Sequence, residues 1–243
     1  MKYIITSDYD EMSQKTAELM TDYIEQNPET KISFATGSTV VSIYERFAEL
    51  MKNRGISVGS LKCFNMDEYV SLPHENPNGL YYSLNEHVYK KLGISGNQIF
   101  APDAVANDLE KACGDYSSKI ESAGGLDFIL LGIGTDGHIA FNMPAAVLHA
   151  ETHIEDLSDE TRAANARFFD CAENVPRQAI TIGLGTILRS KKIVLVASGK
   201  SKSSVISKMF DRMIDPLLPA SFLWLHNDVT CIFDKDAAAG LKP

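Results

Sequence analysis

LDFILLG, at residues 126–132, is an almost uninterrupted apolar run in the middle of the chain, and a glycine-rich segment follows it directly. Successive side chains of a strand point to opposite faces of its sheet, so a strand of this kind is apolar on both faces. Parallel sheets covered by helices on each side bury their strands in this way. The run therefore predicts a central strand of a parallel α/β sheet.

The rest of the chain alternates short β-branched runs with longer amphipathic stretches. Strands are predicted at 2–6, 32–35, 61–65, 126–132, 180–182, 193–197 and 229–233, and helices after Ser7 and Asp8 and at 40–52, 81–92, 109–123, 158–169 and 201–213. No linker, repeat or low-complexity segment divides this pattern. It predicts a single domain over residues 1–243 with a Rossmann-like, three-layer α/β fold: a doubly wound, mostly parallel sheet with helices on both faces. Ligands of such sheets bind at the carboxyl ends of the strands, near a switch in strand order.

Composition and charge exclude several classes of protein. Of the 243 residues, 44% are hydrophobic and 23% charged, which excludes collagen, a coiled coil or disorder for the whole chain. The 23 Lys and Arg residues are outnumbered by 32 Asp and Glu residues, the net charge is -9 and no basic cluster stands out, so a nucleic-acid partner is not expected. The apolar runs are too short to span a bilayer, and residues 2–6 are typical of a strand rather than a signal peptide.

The cysteines indicate a reducing compartment. Cys63, Cys113, Cys171 and Cys231 lie tens of residues apart and form no C-x-x-C pair. This spacing favours reduced core thiols over disulfides or a zinc site. We therefore expect a cytoplasmic protein without a membrane association.

Two segments at predicted strand-to-helix junctions could bind an anion. Gly37 allows a tight turn, and the hydroxyls of Ser38 and Thr39 lie at the start of a helix with its free N–H groups. The segment lacks the lysine of an ATP-binding loop and the glycines of a dinucleotide site, and it could also be plain turn chemistry. Lys202 lies at a second junction of this kind, and Arg167 adds a further cation. Together they suggest a phosphomonoester site, although each cation taken alone is typical of a surface charge.

Two further segments carry groups that could move protons. Asp67 and Glu68 follow the predicted strand 61–65, where carboxylates either act as bases in a cleft or form a solvated loop. The segment GIGTDGHIAFN at residues 132–142 places Asp136 two positions before His138 inside a glycine-rich turn. A carboxylate at that spacing can orient an imidazole, which indicates a functional histidine. The remaining histidines are interpreted as surface or packing groups, and they are His74, His87, His149, His153 and His226.

In this order and spacing, the segments resemble the glucosamine-6-phosphate deaminase/isomerase family, whose superfamily includes the 6-phosphogluconolactonases. The resemblance runs from residue 32 to residue 233 and is carried by ATGST (35–39), FNMDEYVSLP (64–73), AGGLDFILLGIGTDGHIAFN (123–142), ANARFF (164–169) and ITIGLGTIL (180–188). PASFLWLH at 219–226 is similar to the galactosamine-6-phosphate branch. GHIAFN at 137–142 differs from the Gly-His-Thr-Ala step of the lactonases and favours the amino-sugar branch.

The resemblance implies an enzyme that isomerises and deaminates a hexosamine 6-phosphate to a ketohexose 6-phosphate and ammonia, without a metal or organic cofactor. At the matching positions, Asp67 is the base that moves a proton between C2 and C1, and His138, oriented by Asp136, opens the sugar ring. The resemblance further implies that the phosphate is bound by Gly37, Ser38, Thr39, Arg167 and Lys202. The chain ends soon after the last predicted strand and lacks the longer tail of hexameric, allosteric relatives, so we expect a monomer or a small homo-oligomer.

Two positions depart from the family's pattern. Val40 stands where the family usually has a proline, which is a minor loss of rigidity at the helix start. Met143 stands where the deaminases carry a glutamate that partners the ring-opening histidine. A thioether neither accepts a strong hydrogen bond nor stabilises an imidazolium, so ring opening is expected to be slow, altered or supported by another residue. Two other functions stay open: lactone hydrolysis with His138 activating water, and non-catalytic binding of a sugar phosphate.

Overall fold

The computed structural model of this protein describes residues 1–169 and 171–241. Its strands are β1 (Lys2–Thr6), β2 (Lys31–Phe34), β3 (Lys62–Asn65), β4 (Asp67–Tyr69), β5 (Ile99–Phe100), β6 (Phe128–Leu131), β7 (His153–Asp156), β8 (Gln178–Thr181), β9 (Lys192–Ala197) and β10 (Val229–Asp234). Seven of these strands form one sheet in the order β1-β10-β9-β6-β2-β3-β5, and every neighbouring pair runs parallel. Helices surround this sheet, which confirms the three-layer α/β fold expected from the sequence.

The α-helices connect these strands. They are α1 (Tyr9–Gln26), α2 (Val41–Asn53), α3 (Leu80–Leu84), α4 (Lys90–Leu92), α5 (Leu109–Ser122), α6 (Asp159–Asn165), α7 (Leu184–Leu188), α8 (Ser203–Met209) and α9 (Lys235–Ala238). A π-helical segment, Asn85–Tyr89, joins α3 to α4, and 3-10 turns at Ser38–Val40 and Lys200–Lys202 lead into α2 and α8. A further 3-10 turn, Ala166–Phe168, extends α6.

Side-chain caps explain where several helices begin. The Asp8 side chain accepts a hydrogen bond from the backbone N–H of Glu11, and Asp108 caps α5 in the same way. Ser158 caps α6, and Asp234 caps α9. Each such cap satisfies a backbone donor that the helix leaves unpaired, and contributes about 1 kcal/mol.

The centre of the sheet forms the core. All four side chains of β6 are completely buried, as the apolar run at residues 126–132 predicts. Full burial of one large aliphatic or aromatic side chain contributes about 1.5–3 kcal/mol, so this strand is a major source of stability. At the sheet edge, by contrast, β1 exposes part of Tyr3, Ile4 and Ile5.

The structure adds a second sheet that the sequence pattern did not predict. Strands β4, β8 and β7 form it, in that order, with antiparallel pairing. The predicted strand at residues 180–182 therefore overlaps a strand of this small sheet rather than of the parallel one. β4 and β7 are three and four residues long and rich in charged residues, so neither carries a recognisable apolar alternation.

The predicted helix at 201–213 is also shorter than expected. It ends at Met209, and Arg212 adopts the left-handed backbone conformation with φ of 59°, which a helix cannot contain.

The order of the large sheet creates a crevice. From β2 the chain proceeds to β3 and β5 on one side, and it then returns to β6 on the other side of β2. Loops that leave neighbouring strands in opposite directions open a crevice at their carboxyl ends. The loops after β9, β6, β2 and β3 consequently lie side by side at one edge of the sheet. Among the residues described, no helix is long and apolar enough to cross a membrane.

Candidate active site

A cavity of about 760 Å³ opens at this edge of the sheet. The residues that the sequence singles out all line it, although they come from five separate segments of the chain. They are Gly37, Ser38, Thr39, Asp67, Asp136, His138, Arg167 and Lys202. The structure thus brings the predicted proton-transfer groups and the predicted phosphate-binding groups into one cavity.

Two loops approach the cavity with the same backbone geometry. Gly37 and Gly199 have φ angles of 103° and 89°, a region that only glycine adopts readily, and a 3-10 turn and then an α-helix follow each of them. The first turn points the N-terminus of the 13-residue helix α2 toward the cavity. Backbone N–H groups and the helix dipole favour an anion at such a helix start.

The second loop is held by a buried carboxylate. Both carboxylate oxygens of Asp234 accept hydrogen bonds from the backbone N–H of Gly199, at 3.1 and 3.0 Å, and Ser198 donates its hydroxyl at 2.5 Å. The same carboxylate caps α9. Asp234 therefore fixes the loop that carries Lys202. The sequence did not indicate this link, because the two residues lie far apart along the chain.

Lys202 and Arg167 place two cations beside the cavity. The Lys202 ammonium donates a hydrogen bond to the Ile133 carbonyl at 2.7 Å, which ties the loop after β9 to the loop after β6. Burial is the main cause that lowers the pKa of Lys202, and the charge of Arg167 lowers it further. The Arg167 guanidinium lies over the Phe168 ring, 4.8 Å from its centroid. Both cationic side chains line the same cavity.

Asp67 is a buried carboxylic acid on β4. Only 5% of the residue is exposed, and burial, followed by the charge of Glu68, raises its pKa to about 8. A carboxyl group with such a pKa can both release and recover a proton near neutral pH, as a general acid–base catalyst must. The alternative of a solvated loop does not hold for this segment.

Glu68 takes a different role from its neighbour. Its carboxylate accepts hydrogen bonds from the backbone N–H groups of Tyr69, Leu80 and Tyr81, at 2.8, 2.9 and 2.7 Å. Two of these donors lie in the first turn of α3, so Glu68 anchors the start of that helix. The two adjacent carboxylates therefore separate into a cavity group and a structural group, because successive residues of a strand point to opposite sides.

Asp136 and His138 form a close pair. Nδ1 of His138 lies 2.7 Å from Oδ1 of Asp136, without the alignment of a linear hydrogen bond, and the same oxygen accepts from the His138 backbone N–H at 3.1 Å. Burial acts to raise the pKa of Asp136, but its contacts with His138 outweigh burial and hold that pKa below its ordinary value. The carboxylate is therefore ionised beside the imidazole.

Gly134 is required by this pair. A Cβ atom at this position would lie 2.3 Å from the His138 ring and 2.5 Å from the Asp136 carboxylate. Real Cβ atoms do not approach other atoms so closely, so any side chain here would displace the imidazole. This contact explains why a glycine is required at position 134 within the glycine-rich segment at residues 132–142.

Comparison with known proteins identifies the family. The sequence profile described as glucosamine-6-phosphate isomerases/6-phosphogluconolactonase matches residues 7–232. The chain belongs to this family. A glucosamine-6-phosphate deaminase of Thermoanaerobacter sp. (strain X514) is 42% identical over 239 residues, which cover 98% of this chain and 94% of that protein. A glucosamine-6-phosphate deaminase of Clostridium botulinum (strain Langeland) is 40% identical over 242 residues, covering 100% of this chain and 99% of that one.

Solved structures of the glucosamine-6-phosphate isomerase/6-phosphogluconolactonase family agree with this fold. A monomeric glucosamine-6-phosphate deaminase superposes with a TM-score of 0.96 at 37% identity, covering 99% of this chain and 100% of that chain. The 6-phosphogluconolactonase from Trypanosoma brucei superposes with a TM-score of 0.79 at 18% identity, covering 99% and 98% of the two chains. The second likeness is one of fold alone.

Met143, at which the resemblance predicts a glutamate, lies behind the cavity wall. Its side chain is buried in an apolar cluster with Tyr69 and Phe141, both of which line the cavity. The Thr161 hydroxyl lies 3.6 Å from its sulfur and donates to it. The thioether thus fills an apolar space, and His138 keeps Asp136 as its charged partner.

Sequence reasoning missed several groups on the cavity wall. His87, interpreted as a surface or packing residue, lines the cavity together with Tyr82, Ser83 and Glu86. Glu160 also lines it and accepts a hydrogen bond from the Thr135 hydroxyl at 3.1 Å. These side chains belong to helices, and nothing local in the sequence indicates which face of a helix meets a cavity.

Three of the four cysteines have the buried position that the sequence predicts. Cys63, Cys113 and Cys231 are buried free thiols as expected, whereas Cys171 is exposed and so is not a core thiol. It lies outside the strands and α-helices of the described residues. Within residues 1–169 and 171–241, no group of three or more His, Cys, Asp or Glu side chains could hold a metal ion.

Proposed function

We propose that this chain isomerises and deaminates a hexosamine 6-phosphate, with water as co-substrate, to a ketohexose 6-phosphate and ammonia. The observation that carries the proposal is a single cavity lined by a buried carboxylic acid, a carboxylate–histidine pair and two cations. The family supports it, since the relatives at about 40% identity are named glucosamine-6-phosphate deaminases. Two 6-phosphogluconolactonases among the solved structures, from Trypanosoma brucei and Trypanosoma cruzi, are 18% and 21% identical.

The phosphate is bound by the two glycine-led loops. The start of α2, with Gly37, Ser38 and Thr39, supplies backbone N–H groups and hydroxyls, and Lys202 and Arg167 supply positive charge. Because the phosphate takes no part in the bond changes, its binding energy is free to orient the reacting carbons.

His138 opens the sugar ring. It takes the proton of the C1 hydroxyl and delivers a proton to the ring oxygen, so that the bond between C1 and the ring oxygen breaks and an aldehyde forms. Asp136, 2.7 Å from Nδ1, stabilises the imidazolium that exists between the two transfers. Both transfers need only one positioned imidazole.

Asp67 then moves hydrogen between neighbouring carbons. As a carboxylate it removes the proton from C2 while the aldehyde oxygen O1 takes up a proton, which gives an enolamine. As an acid it then returns its proton to C1 while the amino group loses one, which gives a C2 imine with a hydroxyl on C1; the proton lost from nitrogen balances the one taken up by O1. Water adds to C2, the C–N bond breaks, and ammonia leaves. The raised pKa of Asp67 makes the protonated form a usable store for the proton between the two steps.

The test is an assay for ammonia and ketohexose 6-phosphate with glucosamine 6-phosphate and galactosamine 6-phosphate as separate substrates. We expect release from at least one of them and loss of at least ~10³-fold in kcat for Asp67→Asn, since the amide cannot accept the C2 proton. Acid production from 6-phosphogluconolactone without ammonia release would replace the proposal by lactone hydrolysis. Binding of both amino sugars without any turnover would replace it by a non-catalytic binder.

We also propose that the protein acts as a monomer in the cytoplasm on a small sugar phosphate. The solved relative described as monomeric, at 37% identity and full coverage, supports the oligomeric state. The buried free thiols support a reducing compartment.

A further inference from the structure

One wall of the cavity consists of polar side chains without an assigned role. Tyr82, Ser83, Glu86 and His87 all line it, and we call these four residues the helix wall. None of them takes part in the proton transfers or the phosphate binding proposed above. All four are partly buried, at the interior side of the segment that runs from α3 into α4.

The helix wall lies on one face of the segment that runs from α3 into α4. Tyr82 and Glu86 are four residues apart, as are Ser83 and His87, and this spacing puts side chains on the same face of a helix. Glu86 and His87 belong to the π-helical segment Asn85–Tyr89, in which the Lys90 N–H bonds to the Asn85 carbonyl in the i→i+5 pattern. Single π turns of this kind occur frequently at functional sites.

The helix wall lies between the proposed phosphate-binding loop and the proposed base Asp67. On one side the π segment packs against α2, whose first residue, Val41, lines the cavity beside the phosphate-binding loop. On the other side, Glu68 anchors the start of α3 and directly follows the proposed base Asp67. The Tyr89 hydroxyl also donates to the Asn65 side chain at 2.7 Å, two residues before that base. The wall therefore runs alongside the space between phosphate and base.

The chemistry of the wall suits neutral hydroxyl groups. Within the described part of the chain, the hydroxyls of Tyr82 and Ser83 and the imidazole of His87 make no hydrogen bond or ion pair, so they are free to bind a ligand. Glu86 is paired with Lys90, which partly neutralises it. Hydroxyl and imidazole groups can each donate and accept, as recognition of a sugar hydroxyl requires.

We propose that the helix wall binds the sugar hydroxyls between the phosphate-bearing carbon and the reacting carbons, with Ser83 and His87 as the residues that distinguish C4 epimers. The proposal rests on the proposed function, because a hexose 6-phosphate bound at its phosphate and reacting at C1 and C2 lays C3 to C5 along this wall. An epimer presents its C4 hydroxyl in a different direction, so a wall on one side of the sugar can separate the two.

The experiment compares ligands that share a phosphate but differ in hydroxyl groups. Calorimetry measures the dissociation constants of inorganic phosphate, glucitol 6-phosphate and galactitol 6-phosphate, which cannot react. The variants are His87→Phe and Ser83→Ala, and the control is His149→Gln, an exposed imidazole that does not line the cavity. We expect each wall variant to raise the dissociation constant of the preferred hexitol phosphate roughly tenfold and to bring the dissociation constants of the two hexitol phosphates closer together. The dissociation constant of inorganic phosphate should change by no more than about twofold.

Each outcome decides a different point. An equal rise in the dissociation constants of all three ligands, or no rise in any of them, overturns the helix-wall proposal. Using two variants that remove different groups keeps the test valid if one of them fails to fold. If the wild-type protein binds the hexitol phosphates with wall-dependent selectivity but releases no ammonia from either amino sugar, the proposed function fails and the helix wall stands.

Discussion

Asp67 shows how burial converts an ordinary carboxylate into a group that titrates near the working pH. Its pKa is raised to about 8, chiefly by burial and then by Glu68, so the carboxylate form that accepts a proton dominates only above that pH. We expect kcat/KM to rise about tenfold per pH unit up to about pH 8 and then level off. Inorganic phosphate binding over the same range is the control for the anion site.

The same shift predicts how stability depends on pH. Between the ordinary aspartate pKa of about 4 and the folded pKa of about 8, the folded state holds the proton more tightly than the unfolded state, so the free energy of unfolding falls as the pH rises. Asp67→Asn removes this dependence. At pH 8–9 we expect the variant to be more stable than the wild type by roughly 2–4 kcal/mol, measured by urea unfolding, with little difference at pH 4. A constant difference across the range would contradict the buried-acid interpretation.

Gly134 and Gly132 form a matched pair of tests for the Asp136–His138 geometry. A Cβ on Gly134 would collide with the imidazole, whereas a Cβ on Gly132 would meet no atom within 4 Å. We expect Gly134→Ala to lower kcat at least ~10²-fold because a small misplacement of a catalytic group is costly, and Gly132→Ala to stay within a few-fold of wild type. Similar activities for the two variants would show that the imidazole position is not critical.

Met143→Glu tests whether a carboxylate at this position helps His138. The new carboxylate would enter an apolar cluster beside the Thr161 hydroxyl, so we expect a loss of roughly 2–4 kcal/mol in the free energy of unfolding. Met143→Gln places a neutral group of similar shape in the same space and should cost less. An increase in kcat for the glutamate variant alone would show that ring opening limits the wild-type rate.

At the scale of elements, the loop after β9 depends on one carboxylate that also caps α9. Asp234→Ala removes the acceptor for Gly199 and Ser198 and the cap of α9 together. We expect a loss of about 1–3 kcal/mol in stability and at least a tenfold weaker affinity for inorganic phosphate, since the loop positions Lys202. Asp108→Ala removes the cap of α5, outside the cavity, and is the matched control: it should lose stability without losing phosphate affinity.

The sequence patterns predict some of the secondary-structure elements and miss others. Six of the seven strands of the large sheet overlap a predicted strand, whereas β5, only two residues long, was not predicted. Ser158 was correctly predicted as the start of a helix. The strand β4, with the sequence Asp-Glu-Tyr, has no such pattern, and only its pairing with β8 makes it a strand. Its formation depends on backbone partners more than a hundred residues away.

At the scale of the whole molecule, the prediction of one domain over residues 1–243 can be tested by calorimetry. One large apolar cluster includes residues from both sides of the β2–β6 crevice, which couples the two halves of the sheet. We therefore expect a single thermal transition whose calorimetric and van't Hoff enthalpies agree. A hexitol 6-phosphate at 100 times its Kd should raise stability by about 2.7 kcal/mol without splitting that transition. Two separate transitions would contradict a single cooperative domain.

The sequence by itself determined the buried strands, the glycine-led turns and the kinds of chemical group available, because these follow from short-range patterns of polarity and backbone freedom. Only the tertiary structure decided that Asp67 faces the cavity while Glu68 caps a helix, and that His87 lies on the cavity wall. It also decided that β8 joins a second sheet. Such outcomes depend on burial and proximity summed over residues distant along the chain, which no local pattern contains.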